Sequence, residues 1–464
     1  MTLIKSISGI RGTIGGKSGE NLTPVDIIKF TSAFVVFLKE KKQEKPLTLV
    51  VGRDARISGD MVNKLVCGTL QSLGVNILDV GLSTTPTVEM TVIQQKADGG
   101  IILTASHNPI QWNALKLLND KGEFISNSDA QRLLELSENE DIEFAEVRQL
   151  GQYTQMDDAI DRHIDAILAL NLVDADAVRQ ANFSIIADCV NSTGSIAIPK
   201  LLERLGVTKI KLLNGDLSGV FAHNPEPLPE HLYDISREIQ KEDYQIGFVV
   251  DPDVDRLAMV MENGEMFGEE YTLVAVADYV LQHKTGPAVS NLSSSRALDD
   301  LCVKYNVKCS KSAVGEVNVV EMMKEVGAVI GGEGNGGIIY PELHYGRDAL
   351  VGIALILTYM AKSGKDCFEL RRNYSNYYIS KNKIELTPDM DIHGILNYIA
   401  QKYENQKVTT IDGVKIDFED YWVHLRTSNT EPIIRIYVEA LNESTAENIV
   451  NKIKIDIREF IHSN

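Results

Sequence analysis

Apolar runs of four to six residues alternate with helical periodicity along most of the chain. The stretch TLVVGRDARISGDMVNKLVCGTLQSLGVNILDVG predicts a strand, a polar turn, an amphipathic helix, a Leu-Gly-Val break and a second strand. FSIIADCVNSTGSIAIPKLLERLGVTKIKLLNG repeats that order, down to Leu205-Gly206-Val207. GPAVSNLSSSRALDDLCVKYNVKCSKSAVG follows it with Tyr305-Asn306-Val307 in place of the break. Such βαβ units build parallel sheets with helices on both faces. The pattern predicts three similar α/β domains with mixed, mostly parallel sheets, over residues 1–150, 151–257 and 258–370. Residues 371–464 read differently: two strands, YWVHLR and PIIRIYVEA, precede the helix STAENIVNKIKIDIREFI, which predicts a smaller α+β domain. No low-complexity linker separates the four, so they are expected to surround a central cleft.

Composition narrows the function. Across 464 residues, 44% are hydrophobic and 24% charged, which excludes a disordered or fibrous chain. Against 46 basic side chains stand 65 acidic ones, a formal charge of −19 without a long basic block. Nucleic acid and anionic membrane are therefore not expected as partners, since both need a positive surface. A small anionic substrate reads a local pocket and stays open. Five cysteines without CxxC spacing imply reduced thiols and a cytoplasmic home. The start, MTLIKSISGIRG, lacks the apolar core of a signal peptide, and the longest apolar stretch, from Ala349 to Ala361, falls short of the roughly 20 residues that span a bilayer. A monomer or a homodimer is expected.

Four stretches carry candidate chemistry. In GGIILTASHNPIQWNALK, a strand around Ile101–Leu103 is expected to end at Pro109, leaving Ser106 on a loop at its carboxyl end. His107 and Lys116 stand near enough in sequence to move protons or hold a phosphate. A Ser-His-Asp hydrolase is not expected, because adjacent Ser and His should point apart and no GxSxG elbow is present. In GFVVDPDVDRLAMVM, Asp251, Asp253 and Asp255 alternate, which in an extended loop turns all three one way. Their repulsion calls for a cation, and a hard oxygen site suits Mg2+. An EF-hand is excluded by Arg256 at the glycine position, whereas a D-x-D phosphatase with Asp251 as nucleophile stays possible. GGEGNGGIIYP surrounds Glu333 and Asn335 with glycines, a composition suited to reading sugar hydroxyls. HLRTSNTEPIIRIYVEA presents Arg426, Ser428, Asn429, Thr430 and Arg435 around a turn, the makings of a phosphate cradle. SGIRGTIGG with Ser8 and Arg11, and GRDARIS with Arg53 and Arg56, extend the basic theme.

In this order the motifs resemble those of the α-D-phosphohexomutase family, and the resemblance spans essentially the whole chain. It implies three α/β domains plus a smaller C-terminal one, and interconversion of hexose 1- and 6-phosphates. By that likeness Ser106 carries the phosphoryl group, and Asp251, Asp253 and Asp255, with the serine oxygen, ligate Mg2+. Glu333 and Asn335 would grip the sugar, and Arg426, Ser428, Asn429 and Thr430 the idle phosphate, with Arg435 beside them. Arg11, His107, Lys116 and Arg256 would take supporting or proton-transfer roles. A sugar bisphosphate would be both activator and intermediate, and a phosphosugar the small-molecule partner. Gly337 stands where many bacterial members carry histidine, and Val314-Gly315-Glu316 where others read VGH. Asn429 and Ala114 replace glycines of the pattern. These forms are more similar to archaeal-type phosphoglucosamine mutases than to the phosphomannomutase/phosphoglucomutase type. A D-x-D phosphatase and a non-catalytic sugar-phosphate sensor are the rival expectations.

Overall fold

The computed structural model describes residues 2–6, 9–42, 46–139, 141–385, 390–427 and 433–463. The chain is a mixed α/β protein of two compact units: residues 1–284 with 335–371, and residues 285–334 with 372–464.

The first unit holds two sheets. The larger has seven strands, in the order Ile4–Ser6, Gly9–Thr13, Trp112–Leu118, Gly99–Leu103, Thr48–Arg53, Asn76–Leu82 and Tyr153–Gln155. Its last four strands run parallel, and the others pair antiparallel. Leu49, Val50 and Val51 are fully buried in sequence, as a central strand covered on both faces requires. Helix Pro24–Lys41 covers one face and begins with a capping box: Thr23 and Asp26 satisfy each other's ends, and Pro24 needs no donor there. The smaller sheet orders Leu257–Met261, Ile246–Val250, Ser184–Asp188 and Lys209–Leu213. Ile246–Val250 and Leu257–Met261 form an antiparallel pair, so the aspartate-rich segment is the connection of a hairpin. The apolar helix Ala349–Ser363 is buried from Ala349 to Met360.

In the second unit, Cys309–Ser312, Ala288–Asn291 and Ile330–Glu333 pair in parallel, in that order. A separate antiparallel sheet orders Tyr378–Glu385, Ile433–Ala440, Trp422–Thr427, Val414–Asp417 and Lys407–Thr409. Its core joins Val423, Leu425, Ile434 and Ile436 to Ile395, Val450, Ile453 and Ile457 of the neighbouring helices. This is the antiparallel sheet with flanking helices that the last ninety residues predict. Among the described residues no helix is long and apolar enough to cross a membrane, and all five cysteines are free thiols.

Candidate functional site

The strand Gly99–Leu103 ends at the expected residue, well before Pro109. What ends it is a side-chain network. Thr104 Oγ1 donates to Asp54 Oδ2 at 2.6 Å and accepts from the Ser106 amide at 2.9 Å. Ser106 then takes a left-handed backbone, φ +50°, uncommon outside glycine and costly unless the surroundings impose it. Arg56 does the imposing. Its Nη1 donates to the carbonyls of Pro109 (2.8 Å) and Trp112 (3.1 Å), and its Nη2 to those of Asn108 (2.7 Å) and Ser106. Its Nε donates to Asp54 at 3.0 Å. Arg56 is thus a buried clamp on the serine loop and not part of an open basic cradle.

The strained turn also corrects the expected divergence of Ser106 and His107. Ser106 Oγ lies 3.4 Å from His107 Nδ1 and donates to Asp251 Oδ2 at 2.8 Å.

The three aspartates converge by a turn, not by extended alternation. The Val254 amide donates back to the Asp251 carbonyl at 3.1 Å, and Val254, a β-branched residue, sits at φ +60°. All three aspartates are fully buried. Asp251 Oδ1 accepts from the amides of Asp255 and Arg256, each at 3.2 Å. Asp253 Oδ2 accepts from Thr85 Oγ1 (2.6 Å) and from Lys116 Nζ (2.8 Å). Asp255 Oδ2 accepts from Arg347 Nη2 at 2.6 Å and lies 3.6 Å from Lys116 Nζ. That leaves Asp253 Oδ1 and Asp255 Oδ1 buried without a hydrogen-bond partner. Buried orphan carboxylate oxygens are expensive, and a hard cation with oxygen ligands is what such a set fits. Burial, then the charges of Asp255 and Asp253, push Asp251 well above the usual carboxylate range.

The remaining expected residues of this unit gather round the same loops. Arg11 Nη1 donates to Asn108 Oδ1 at 3.4 Å, and Arg256 Nη1 pairs with Glu226 Oε1 at 3.1 Å. Burial opposes the charge on Lys116, but Asp253 and Asp255 more than offset it and hold the ammonium above its ordinary range. Burial and the guanidiniums of Arg256, Arg11 and Arg347 hold His107 well below its own, although 28% of its side chain is exposed. An uncharged imidazole beside Ser106 can take up a proton; Lys116, bound to the carboxylates, stays charged. Asn335 Oδ1 accepts from the Gly337 amide at 3.2 Å, closing its own turn.

In the second unit, Glu333 Oε1 accepts from Asn291 Nδ2 (2.8 Å) and from the Gly315 amide (3.1 Å). Arg426 and Arg435 are direct cross-strand partners and so share a face, with Asp412 Oδ2 3.3 Å from Arg426 Nε. Ser428, Asn429 and Thr430, expected in the phosphate cradle, lie outside the described residues, as does Ser8. Sequence reasoning missed Thr85, Arg347 and Asp54 and gave Glu226 no role. Of these, Asp54 sat inside GRDARIS, a stretch already singled out.

Family models of the phosphoglucomutase/phosphomannomutase kind match along the chain: alpha/beta/alpha domain I over residues 3–143, domain II over 161–264, domain III over 268–377 and the C-terminal domain over 390–455. A phosphoglucomutase/phosphomannomutase of Thermococcus kodakarensis is 36% identical over 441 residues, 94% of this chain and 95% of that protein. A phosphoglucosamine/phosphogalactosamine mutase of Sulfurisphaera tokodaii is 32% identical over 453 residues, 96% and 97% of the two chains. Among solved structures, a phosphoglucomutase/phosphomannomutase family protein of Burkholderia thailandensis shares the fold, with TM-score 0.84, 24% identity and coverage of 99% and 97%.

Proposed function

Since the chain belongs to the α-D-phosphohexomutase family and is a phosphosugar mutase, an isomerase, we propose that Ser106 is its phosphoryl carrier and glucosamine 6-phosphate its substrate, converted to glucosamine 1-phosphate. The observation that carries the assignment of Ser106 is its hydroxyl, 2.8 Å from Asp251 in a loop that Arg56 clamps from behind. In the reaction the bond from phosphorus to Ser106 Oγ breaks as a bond to the free sugar oxygen forms. The sugar hydroxyl gives up a proton and the leaving serine oxygen gains one, and His107 Nδ1, uncharged and 3.4 Å from Oγ, is placed to serve both. Asp251, Asp253 and Asp255 would hold Mg2+, which supplies neutralisation of charge growing on the transferring group. Lys116 and Arg347 keep Asp253 and Asp255 in place meanwhile. The sugar bisphosphate so formed turns over and returns its other phosphoryl group to Ser106. In the proposed roles Glu333 and Asn335 grip the sugar, while Arg426 and Arg435, with Ser428, Asn429 and Thr430, hold the idle phosphate. Arg11 and Arg256 steady the transferring group.

The amino sugar is favoured by carboxylates. Glu333 holds the amide of Gly315, and the next residue, Glu316, is also buried, where the VGH form would place a donor. A 2-ammonium group suits such acceptors better than a hydroxyl does. The name of the Thermococcus relative favours a second reading, glucose or mannose phosphate. ³¹P NMR of the protein with Mg2+ and a trace of bisphosphate separates them when glucosamine, glucose and mannose 1-phosphates are offered one at a time. Fast conversion of glucosamine 1-phosphate supports the first reading, and preference for a neutral sugar overturns the substrate alone. Free phosphate in place of any 6-phosphate would mean a phosphatase and sink the role given to Ser106.

A further inference from the structure

Away from the serine loop, the first unit buries a second group of metal-ligating side chains. Helix Thr85–Gln95 brings Glu89, helix Ala159–Leu168 brings His163, and the residues leading into helix Ala349–Ser363 bring His344 and Asp348. Glu89, His163 and Asp348 are fully buried and His344 is 4% exposed. His163 Nε2 lies 3.0 Å and His344 Nε2 3.3 Å from the same oxygen, Asp348 Oδ2. The ligand atoms of this trio are all within 4.8 Å of one another. Zinc-class ions bind nitrogen and oxygen at about 2.0–2.1 Å, which sets tetrahedral ligand atoms about 3.3 Å apart.

The outer atoms point to a cation as well. His163 Nδ1 meets Thr87 Oγ1 at 3.0 Å, and His344 Nδ1 lies 3.4 Å from Glu89 Oε2. Asp348 Oδ1 caps the following helix at the amides of Leu350 and Val351, leaving Oδ2 to the histidines. In a metal-free arrangement of neutral rings, both Nε2–H groups donate to Asp348, and His344 Nδ1 becomes an acceptor facing the Glu89 carboxylate. Coordination through Nε2 reverses that: Nδ1 carries the proton and donates to Glu89, the carboxylate–histidine arrangement that orients metal ligands. Gly346 packs closely on Glu89: a Cβ there would fall 2.0 Å from Glu89 Oε2.

We propose that His163, His344 and Asp348 hold a structural divalent ion of the zinc class, with Glu89 and Thr87 orienting the two imidazoles, at a site separate from the three aspartates. The full-length protein, stripped with a chelator, is titrated with Co2+ while millimolar Mg2+ is present. The expected result is one equivalent bound with a visible d–d band, bleached by Zn2+. His163→Gln and His344→Gln should each weaken Co2+ binding at least about tenfold, whereas Asp253→Asn leaves the band in place. A folded wild type without the band overturns the proposal, as does a band that Asp253→Asn abolishes and His344→Gln spares. Should the histidine variants fail to fold, X-ray absorption on the Zn2+-loaded wild type decides: two imidazoles in the coordination shell support the site, and an all-oxygen shell overturns it. A buried imidazolium in place of the metal would show as no Co2+ taken up.

Discussion

Around Ser106, Asp54 faces Arg56, Asp253 faces Lys116 and Asp255 faces Arg347, whereas the antiparallel sheet of the second unit sets Arg426 directly across from Arg435. The first region pairs each of these carboxylates with a basic side chain; the second sets two guanidiniums side by side, with Asp412 paired to Arg426. Pre-paired buried ions fix geometry, since breaking one pair strands the other charge. Like charges opposite each other on a strand pair cost stability until an anion arrives. The proposed transfer at a fixed serine oxygen would ask for the former, and the proposed idle phosphate would be served by the latter.

The largest effect expected is at the serine. Ser106→Ala should lower mutase turnover by about 10⁴-fold or more with folding retained; a variant with wild-type kcat would break the assignment at its centre. Arg56→Ala should destabilise by about 3–5 kcal/mol, because Asp54 is left buried without its countercharge and the loop carbonyls without their donors. Urea unfolding measures this, and adding Asp54→Asn should recover part of the loss. Arg426→Ala should raise KM for the phosphosugar about tenfold to a hundredfold, the scale of about 1.5–3 kcal/mol for a charged hydrogen bond. Arg435→Ala, which removes the cross-strand neighbour of Arg426, should raise KM for the phosphosugar as well, read in the same assay.

The smallest effect is a pH dependence at His223. Burial opposes its charge, but Asp188, 3.2 Å away, outweighs it and raises the imidazole above its ordinary value. A raised folded value means stability fully present below about pH 6.5 and lost as pH climbs through the folded value. His223→Gln should therefore cost about 1 kcal/mol at pH 5.5 and less at pH 8.5, by guanidinium midpoints at each pH. An equal loss at both would refute the ionic part of the contact.

Legibility followed the range of the interaction. The repeating βαβ order, the helix over 443–463 and the strand running into Asp251 rest on periodicities of a few residues, which sequence displays. The strand end at Leu103 was legible; its cause was assigned to Pro109 because Asp54, which captures Thr104, lies 50 residues away. Arg56 was grouped with the phosphate-holding basic residues and proved to be a clamp for the same reason. Arg347 stands alone in YGRDAL, and nothing local tells that its fork reaches Asp255. The alternation of Asp251, Asp253 and Asp255 was legible; that Val254 folds them together by a left-handed turn was not.

The clamp on the serine loop has a consequence for how such a protein changes over time. Every donor of the Arg56 fork is spent: one on Asp54 and four on main-chain oxygens. Main-chain carbonyls are the same whatever side chain each residue carries. The path of the loop is therefore guarded by one residue outside it, whatever side chains the loop itself carries. A lysine at 56, with three donors on a single point, could not hold that path, so drift here is channelled into the loop and away from its anchor.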